Sequence, residues 1–338
     1  MKSFLHDKYW PREDQVRFFN NWDQFNDDPR TKDVDLHIGG AVDYSKFRSE
    51  KINIHINGEW PNEFFGGKNS GSAAHRCVEI ENKFDYVLNF DKPTAKARGH
   101  IYAPYGYNYN NIISNLSWDN IDDIEKDNDI FMIGHCKMNP MWHGEHDAIY
   151  HWYQTISKFN HIFCNNYIKN APGKKWSESM DLSARSKISI VWVDFLYATS
   201  NNRSFAESNY NWITFKDAII KVEDGKTISK PTVPQMKGRV YNAAFSKSII
   251  LCYKGPWANE KAPYNSPIED YLDPGVDFIY FEDCNDLERK IKEILKDYNN
   301  PKYKEMVDSA HAKMKNNHDV TNIYEKYIIP LSEKGKTK

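Results

Sequence analysis

The sequence predicts an α/β protein with parallel sheets, divided into two units. Short apolar segments of strand length alternate with helical patterns through most of the chain, which is the pattern of strands joined by helical crossovers. A length of 338 residues suits two domains of roughly 150 residues each. Hydrophobic residues make up 40% of the chain and aromatic residues 14%, so either half can bury a core of its own.

The first predicted unit covers residues 1–118. Its strand candidates run into Gly, Asn, Asp or Pro, which interrupt strands and begin loops. These candidates are residues 33–38, 51–56, 84–90 and 100–103. The stretch 118–129 is acidic and poor in apolar residues, and we interpret it as the linker between the units.

The second predicted unit covers residues 129–320. Its strand candidates are residues 129–133, 161–164, 188–193, 248–253 and 277–281. Apolar spacing predicts helices over residues 146–158, 239–246, 267–272, 285–298 and around 303–314. The segment 285–288 has the composition of a capping box. The polar segment 196–228 is interpreted as an insertion, and residues 321–338 as a C-terminal helix and a basic, frayed tail.

Charge and composition exclude several classes of partner. A net charge of −2 gives no attraction to nucleic acid or to an acidic membrane, so we expect a small molecule or a glycan. The N-terminus has no apolar signal segment, and no apolar run approaches the ~20 residues of a transmembrane helix. The five cysteines are odd in number and form no C-x-x-C pair, which is typical of reduced thiols in a cytoplasmic protein.

A basic helix start marks the first candidate binding site. Lys237, Gly238 and Arg239 stand where the helix 239–246 begins, so backbone N–H groups, the helix dipole and two cations favour an anion there. The strand that follows ends in a loop, and ligands of open α/β sheets bind beyond the carboxyl ends of such strands. A diphosphate fits this environment. The alternative is a solvated basic helix start without a ligand.

Several segments of the second half occur in a familiar order. A basic residue precedes the aromatic-led helix at 237–245, and the strand 249–251 follows. The segment 268–275 then leads to Phe278-Ile279-Tyr280-Phe281, and Ser186-Lys187-Ile188 opens an upstream strand. Together they resemble the donor lobe of GT-B glycosyltransferases, including the glycosyl transferase group 1 and CgeB-like enzymes.

The resemblance implies a GT-B fold, in which two Rossmann-like lobes face each other across a cleft. It also implies a nucleotide-sugar donor, such as a GDP- or UDP-sugar, and neither a metal nor another cofactor. The donor-binding residues it implies are Lys237, Gly238, Arg239, Tyr241, Asn242 and Glu269. An arginine of the family is missing near the first donor-lobe helix, where Lys137 offers a cation instead.

Three segments of the first half carry a narrower resemblance. Asp35-Leu36-His37-Ile38, the run from Ile54 through Gly58-Glu59 to Pro61-Asn62, and Phe84–Asp91 occur in that order. They are similar to the acceptor lobe of α-1,3-fucosyltransferases, whose Gly-Glu glutamate is proposed as the general base. The resemblance places that role on Glu59 and implies an inverting transfer to a glycan hydroxyl. The alternative is that Glu59 caps or salt-bridges a loop.

One segment and one single residue depart from the family patterns. Lys237-Gly238-Arg239 replaces the Thr-Glu-Lys-like element of the fucosyltransferases, and Asn242 stands where many GT-B enzymes carry a glutamate for the ribose. Glu269 also ends the capping-box segment Ser266-Pro267-Ile268-Glu269, which gives it a structural explanation.

Metal sites are weakly indicated. His135, Cys136, His143, His146 and His151 cluster in the sequence, but they lack a second pair with zinc-ligand spacing. Asp33-Val34-Asp35 lies at the start of a strand, whereas metal-dependent GT-A enzymes need Asp-x-Asp after one. We therefore expect a metal-independent glycosyltransferase. The alternatives are a non-catalytic nucleotide- or carbohydrate-binding protein with a degenerate transferase fold, and a metal-dependent GT-A enzyme.

Overall fold

The computed structural model describes residues 1–5, 21–39, 43–56, 80–90, 95, 99–116, 118, 120–134, 145–165, 172, 175–196, 222–223, 226–227, 232–234, 236, 238–254 and 268–337. The chain forms two compact units. One includes Met1–Ile112 and Asn316–Lys338, and the other includes Ile113–Asn202 and Phe215–Lys315. Among the described helices, none has an apolar stretch that would cross a membrane.

The first unit contains a five-stranded parallel sheet whose spatial order follows the chain. Its strands are β1 (Lys2–Leu5), β2 (Val34–Ile38), β3 (Ile52–Ile56), β4 (Tyr86–Asn89) and β5 (Ile101–Tyr102). All neighbouring pairs are parallel, so the carboxyl ends lie along one edge. Helix α1 (Tyr109–Leu116) follows β5.

The apolar face of this sheet is covered by the C-terminal segment. Leu36 and Ile54 of the sheet belong to the same buried cluster as Tyr324 and Leu331. The segment consists of Val320–Ile323, the π-helical turn Tyr324–Ile328 and the helix Ile329–Lys334. The tail was predicted to be frayed, and this prediction is wrong for the described residues, because the helix continues to Lys334 and the backbone N–H of Thr337 donates to Asp85 Oδ1 at 2.9 Å.

The second unit contains a five-stranded parallel sheet of order β14-β13-β8-β6-β7. The strands of this half are β6 (Asn128–Gly134), β7 (His161–Asn165), β8 (Ser186–Val191), β9 (Asp194–Leu196), β10 (Val222–Glu223), β11 (Lys226–Thr227), β12 (Thr232–Pro234), β13 (Ile249–Tyr253) and β14 (Ile279–Phe281). Its helices are α2 (Glu145–Ile156), α3 (Trp176–Ala184), α4 (Gly238–Phe245), α5 (Cys284–Lys296) and α6 (Pro301–His318).

The main apolar core of the second unit lies on one face of its sheet. Ile130, Ile188 and Leu251 contribute to it from three adjacent strands, and α2 and α5 cover them with Trp152 and Ile291, among others. All five residues of β13 are buried, as expected for a parallel strand with helices on both faces. The α/β prediction is confirmed in both units.

One short antiparallel ribbon lies within the segment 196–228 that was interpreted as an insertion, and a second one flanks that segment. β9 pairs with β12, joining Asp194 to Pro234, and β10 pairs with β11. The β9–β12 ribbon holds together the two ends of the intervening segment. The chain therefore leaves the end of β8 and returns close to it, just before α4 begins.

The stretch interpreted as a linker packs onto the second unit. Trp118 is buried and donates from Nε1 to Asp181 Oδ1 at 3.3 Å. Asp122 accepts from Lys247 Nζ at 2.8 Å. The stretch is therefore held to the second unit by a buried indole and by an ion pair. The capping box predicted at 285–288 is displaced, because Asp283 is the N-cap of α5 and accepts from the backbone N–H of Asp286 at 2.9 Å.

Candidate functional site at the carboxyl edge of the second sheet

The second sheet has a reversal of strand order between β6 and β8. β7 follows β6 in the chain and pairs on one side of it, whereas β8, the next strand, pairs on the other side. Connections that leave the sheet in opposite directions open a crevice at the carboxyl ends, and ligands of open α/β sheets bind there. The described strands of the first sheet follow chain order and have no such reversal.

Gly134 and Trp192 meet at this position. Gly134 ends β6, and Trp192 directly follows β8. A Cβ atom on residue 134 would lie 2.6 Å from Cη2 of Trp192, so only glycine lets the indole lie against the strand. Trp192 is 1% exposed, and its ring packs at 5.4 Å between centroids on Trp152 of α2. The indole is therefore held between the end of β6 and α2.

Arg239, the second residue of α4, lies on this indole. Its guanidinium carbon is 3.6 Å from the centroid of the Trp192 ring, and Nη1 donates to the Trp192 carbonyl oxygen at 2.9 Å. A cation over an aromatic face is stabilised by the ring quadrupole. Because one residue holds Arg239 through both its ring and its carbonyl, the charge has a defined place at the carboxyl edge.

The β9–β12 ribbon explains how residues so distant in the chain come together. Trp192 lies two residues before β9, and Arg239 lies five residues after β12. Pairing of Asp194 with Pro234 brings the chain back to the end of β8. The start of α4 is thereby placed beside Trp192.

The N-terminal turn of α4 adds backbone donors to this cation. The first four N–H groups of a helix have no partner within it, and the helix dipole makes that end positive. Gly238 and Arg239 are half-buried there, whereas Tyr241 is buried. Backbone donors and a fixed guanidinium together form a cationic environment of the kind that binds phosphate.

Asn242 has an unusual environment on the same helix. It is 1% exposed, and neither its Oδ1 nor its Nδ2 has a hydrogen-bond partner among the described residues. It lies three residues after Arg239 and shares that face of α4. Helical Cα–Cβ bonds tilt toward the helix N-terminus, so residue 242 lies over the turn that contains Gly238 and Arg239.

Glu269 lies in a short 3-10 helix, Ile268–Asp270, before β14. Its Oε1 accepts a hydrogen bond from the Tyr280 hydroxyl. That bond connects the 3-10 helix to β14. The predicted capping partner, Ser266, lies outside the described residues.

Three predicted site residues lie outside the described residues. They are the general base Glu59 and the cations Lys137 and Lys237. Of the histidine cluster, the backbone of His146 and the whole of His151 fall in α2, and His135, Cys136 and His143 lie outside. The structure therefore brings together Gly238, Arg239, Tyr241 and Asn242 on α4, and places Glu269 near β14.

Two buried side chains of the segment 35–38, one of those on which the fucosyltransferase resemblance was based, form polar pairs with neighbouring residues. Asp35 accepts from Arg48 Nε at 2.6 Å. His37 Nε2 lies 3.1 Å from Asn53 Oδ1, and since Asn53 Nδ2 donates to the Arg48 carbonyl, the Oδ1 atom accepts from His37. Burial lowers the pKa of His37. These side chains stabilise the interior of the sheet.

The segment from Pro274 to Phe281 is structural as well. Gly275 has φ +80°, a conformation that favours glycine. Asp277 Oδ2 accepts from the backbone N–H of Asp273 at 2.6 Å, and Phe278 and Phe281 are buried. The motif therefore builds a turn and part of the core.

Trp192 and Gly134 were not predicted as site residues. The sequence signal was present, because Gly134 ends one buried strand and Trp192 follows another. Sequence reasoning places both at carboxyl ends of strands. It does not show that β6 and β8 are neighbours, which requires the sheet order.

No protein-family model matches the sequence, and no curated protein matches it. Among solved structures, a glycosyltransferase from Rickettsia africae is similar at a TM-score of 0.49 and 10% identity, over 89% of this chain and 76% of that one. An alpha-glucosyltransferase in complex with UDP and mismatch-containing DNA is similar at 0.49 and 11% identity, over 89% and 80%. HepE from Anabaena in complex with UDP-glucose gives 0.46 and 10% identity, over 89% and 79%.

Proposed function

We propose that this protein is a metal-independent glycosyltransferase that moves a sugar from a nucleotide-sugar donor to a hydroxyl of a glycan acceptor. The observation that carries the proposal is the position of Arg239. Its guanidinium is fixed on Trp192, at the reversal of strand order and beside the free end of α4. That combination suits the diphosphate of the donor.

The chemistry assigned to these groups is an inverting displacement. The acceptor hydroxyl oxygen forms a bond to the anomeric carbon, and the bond from that carbon to the diphosphate oxygen breaks. The hydroxyl proton passes to the carboxylate of Glu59. Negative charge develops on the leaving diphosphate, where Arg239 and the N–H groups of α4 stabilise it.

A thermal-shift screen tests donor binding. UDP, GDP and CDP are each added to the protein in EDTA, and binding to the native state raises the melting temperature. We expect one of the three diphosphates to raise it. If binding requires added Mg²⁺ or Mn²⁺, the metal-independent proposal is wrong.

Arg239→Ala tests the position of the diphosphate. A charge-assisted bond to phosphate is about twice as strong as a neutral one, so we expect the affinity for the diphosphate to fall by at least about tenfold. Arg185→Ala is the matched control, because Arg185 precedes β8 at the opposite edge of the same sheet and pairs with Asp181. Equal affinities of the two variants would contradict this site.

Glu59→Gln tests the mechanism. Glutamine retains the shape of the side chain but does not accept the proton, and loss of a general base typically costs about 10²–10⁴-fold in rate. We expect kcat to fall in that range while the donor affinity stays constant. A variant with wild-type turnover would show that the base is another residue.

A further inference from the structure

Trp192 makes two separate contacts with Arg239, and they have different geometric consequences. The hydrogen bond from Nη1 to the Trp192 carbonyl fixes one nitrogen at 2.9 Å. The ring contact, with Cζ 3.6 Å from the centroid, fixes the height of the whole guanidinium above the indole. Together they restrict a side chain that otherwise has many rotamers.

A restricted guanidinium binds phosphate better than a mobile one. Arginine recognises phosphate through paired N–H groups in one plane, and the energy of that recognition depends on orientation. Ordering a long side chain at the moment of binding lowers the affinity by about two- to tenfold. In this protein that ordering is already present before any ligand arrives.

The indole itself depends on Gly134. A Cβ atom at this position would meet Cη2 at 2.6 Å and Cζ2 at 3.0 Å, so alanine would force the ring to move. Trp152 packs on the same ring and limits where it can move. A methyl group on residue 134 is therefore expected to displace Arg239, although the two residues belong to different elements.

We infer that Gly134 and Trp192 are positioning residues, which hold the Arg239 guanidinium in the orientation that binds the donor diphosphate. The inference rests on the proposed function and deepens it. The chain of contacts runs from the backbone of β6 through the indole to the cation. Neither positioning residue needs to touch the ligand for this role.

The test measures binding of inorganic pyrophosphate and of UDP by calorimetry. Pyrophosphate reports on the cationic site without a contribution from the base or sugar. We expect Trp192→Leu to weaken pyrophosphate binding by up to about tenfold, because the released guanidinium would then have to be ordered when the ligand binds. Trp192→Phe keeps an aromatic face and should stay within about threefold of wild type.

Two controls separate positioning from general destabilisation. Trp118→Leu removes another buried indole of the same unit and should leave pyrophosphate affinity unchanged. In the Arg239→Ala background, Trp192→Leu should have no further effect on affinity, because residues that act through one another are not additive. An additive loss would overturn the inference.

Gly134→Ala provides an independent variant if Trp192→Leu does not fold. It should also weaken pyrophosphate binding, and this effect should disappear in the Arg239→Ala background. Wild-type affinity of folded Trp192→Leu or Gly134→Ala would overturn the positioning role alone. Wild-type affinity of Arg239→Ala would instead overturn the diphosphate site on which the proposed function depends.

Discussion

The carboxylate of Asp277 accepts a hydrogen bond from the Ser309 hydroxyl at 2.6 Å. The contact joins the turn before β14 to the middle of α6. Lys313 of the same helix also donates to Asp277, whose side chain is fully buried. These contacts give Asp277 a role in stability.

Asp277→Ala is expected to lower the free energy of unfolding by about 1–3 kcal/mol, because it removes the buried acceptor of hydrogen bonds from Ser309, Lys313 and the Asp273 backbone N–H. Urea denaturation measures the loss. Asp273→Ala is the control, since Asp273 pairs with the same Lys313 but its side chain is 67% exposed. The control should lose less than about 1 kcal/mol, and equal losses would contradict the structural role.

Lys126 predicts a pH dependence of stability. Burial lowers its pKa to about 8, and Nζ donates to the Ser246 and Lys247 carbonyls after α4. In the unfolded chain the pKa of Lys126 is 10.5. Between pH 8 and 10.5 this lysine is therefore protonated in the unfolded chain and largely neutral in the folded protein. The free energy of unfolding then rises with pH, by at most about 1.4 kcal/mol per pH unit. The unfolding free energy of wild type minus that of Lys126→Met should become more positive from pH 8 to pH 10. A constant difference would rule the effect out.

His318 predicts a second dependence, on the acid side. Burial lowers its pKa to about 4, and Nδ1 donates to the Tyr105 carbonyl at 3.0 Å. In the unfolded chain the pKa of this histidine is 6.5. As the pH falls from 6.5 to 4, the imidazole is protonated in the unfolded chain but stays neutral in the folded protein, so the free energy of unfolding falls. His318→Asn has no imidazole to titrate. Unfolding curves at pH 7 and pH 5 should show a larger acid loss for wild type than for the variant, and equal losses would refute the assignment.

Asn242→Leu should separate stability from binding. The amide is buried without a described partner, so an apolar group of similar size should raise the unfolding free energy by about 1 kcal/mol. If the amide contacts the donor, the same substitution should weaken the binding of the diphosphate that the screen identifies. Thermal denaturation and calorimetry measure the two effects. A variant that is less stable, or that binds as wild type, would contradict this role.

The strands were predictable because each is a short, buried apolar run. The predicted strand 248–253 begins one residue before β13 and ends with it, and the predicted strand 188–193 is shifted from β8 by two residues at both ends. β1 was missed because Lys2–Leu5 is too short to show a period, and its pairing with β2 is a tertiary contact. The β9–β12 ribbon was missed for a related reason, since its two strands have three residues each and lie far apart in the chain.

The candidate site was predictable in its chemistry and less so in its geometry. Gly238 and Arg239 were identified from charge at a helix start, which is local information. The contact of Arg239 with Trp192 depends on the ribbon and on the order of strands, which are not local. The burial of Asn242 was also not predicted. Every residue from Val240 to Phe245 is buried, so this part of α4 has no alternation of apolar and polar residues from which the buried face could be predicted.

The C-terminal segment on the first sheet determines the order in which the protein can be completed during synthesis. Residues 1–112 leave the ribosome before residues 316–338, yet the core of the first unit includes Tyr324 and Leu331. The second unit lies between them in the chain, and domains generally fold as units during synthesis. The first unit must therefore wait, with part of its apolar surface uncovered, while the second folds. A nascent chain stopped at residue 315 would contain the whole second unit but would lack the helical segment that covers the apolar face of the first sheet.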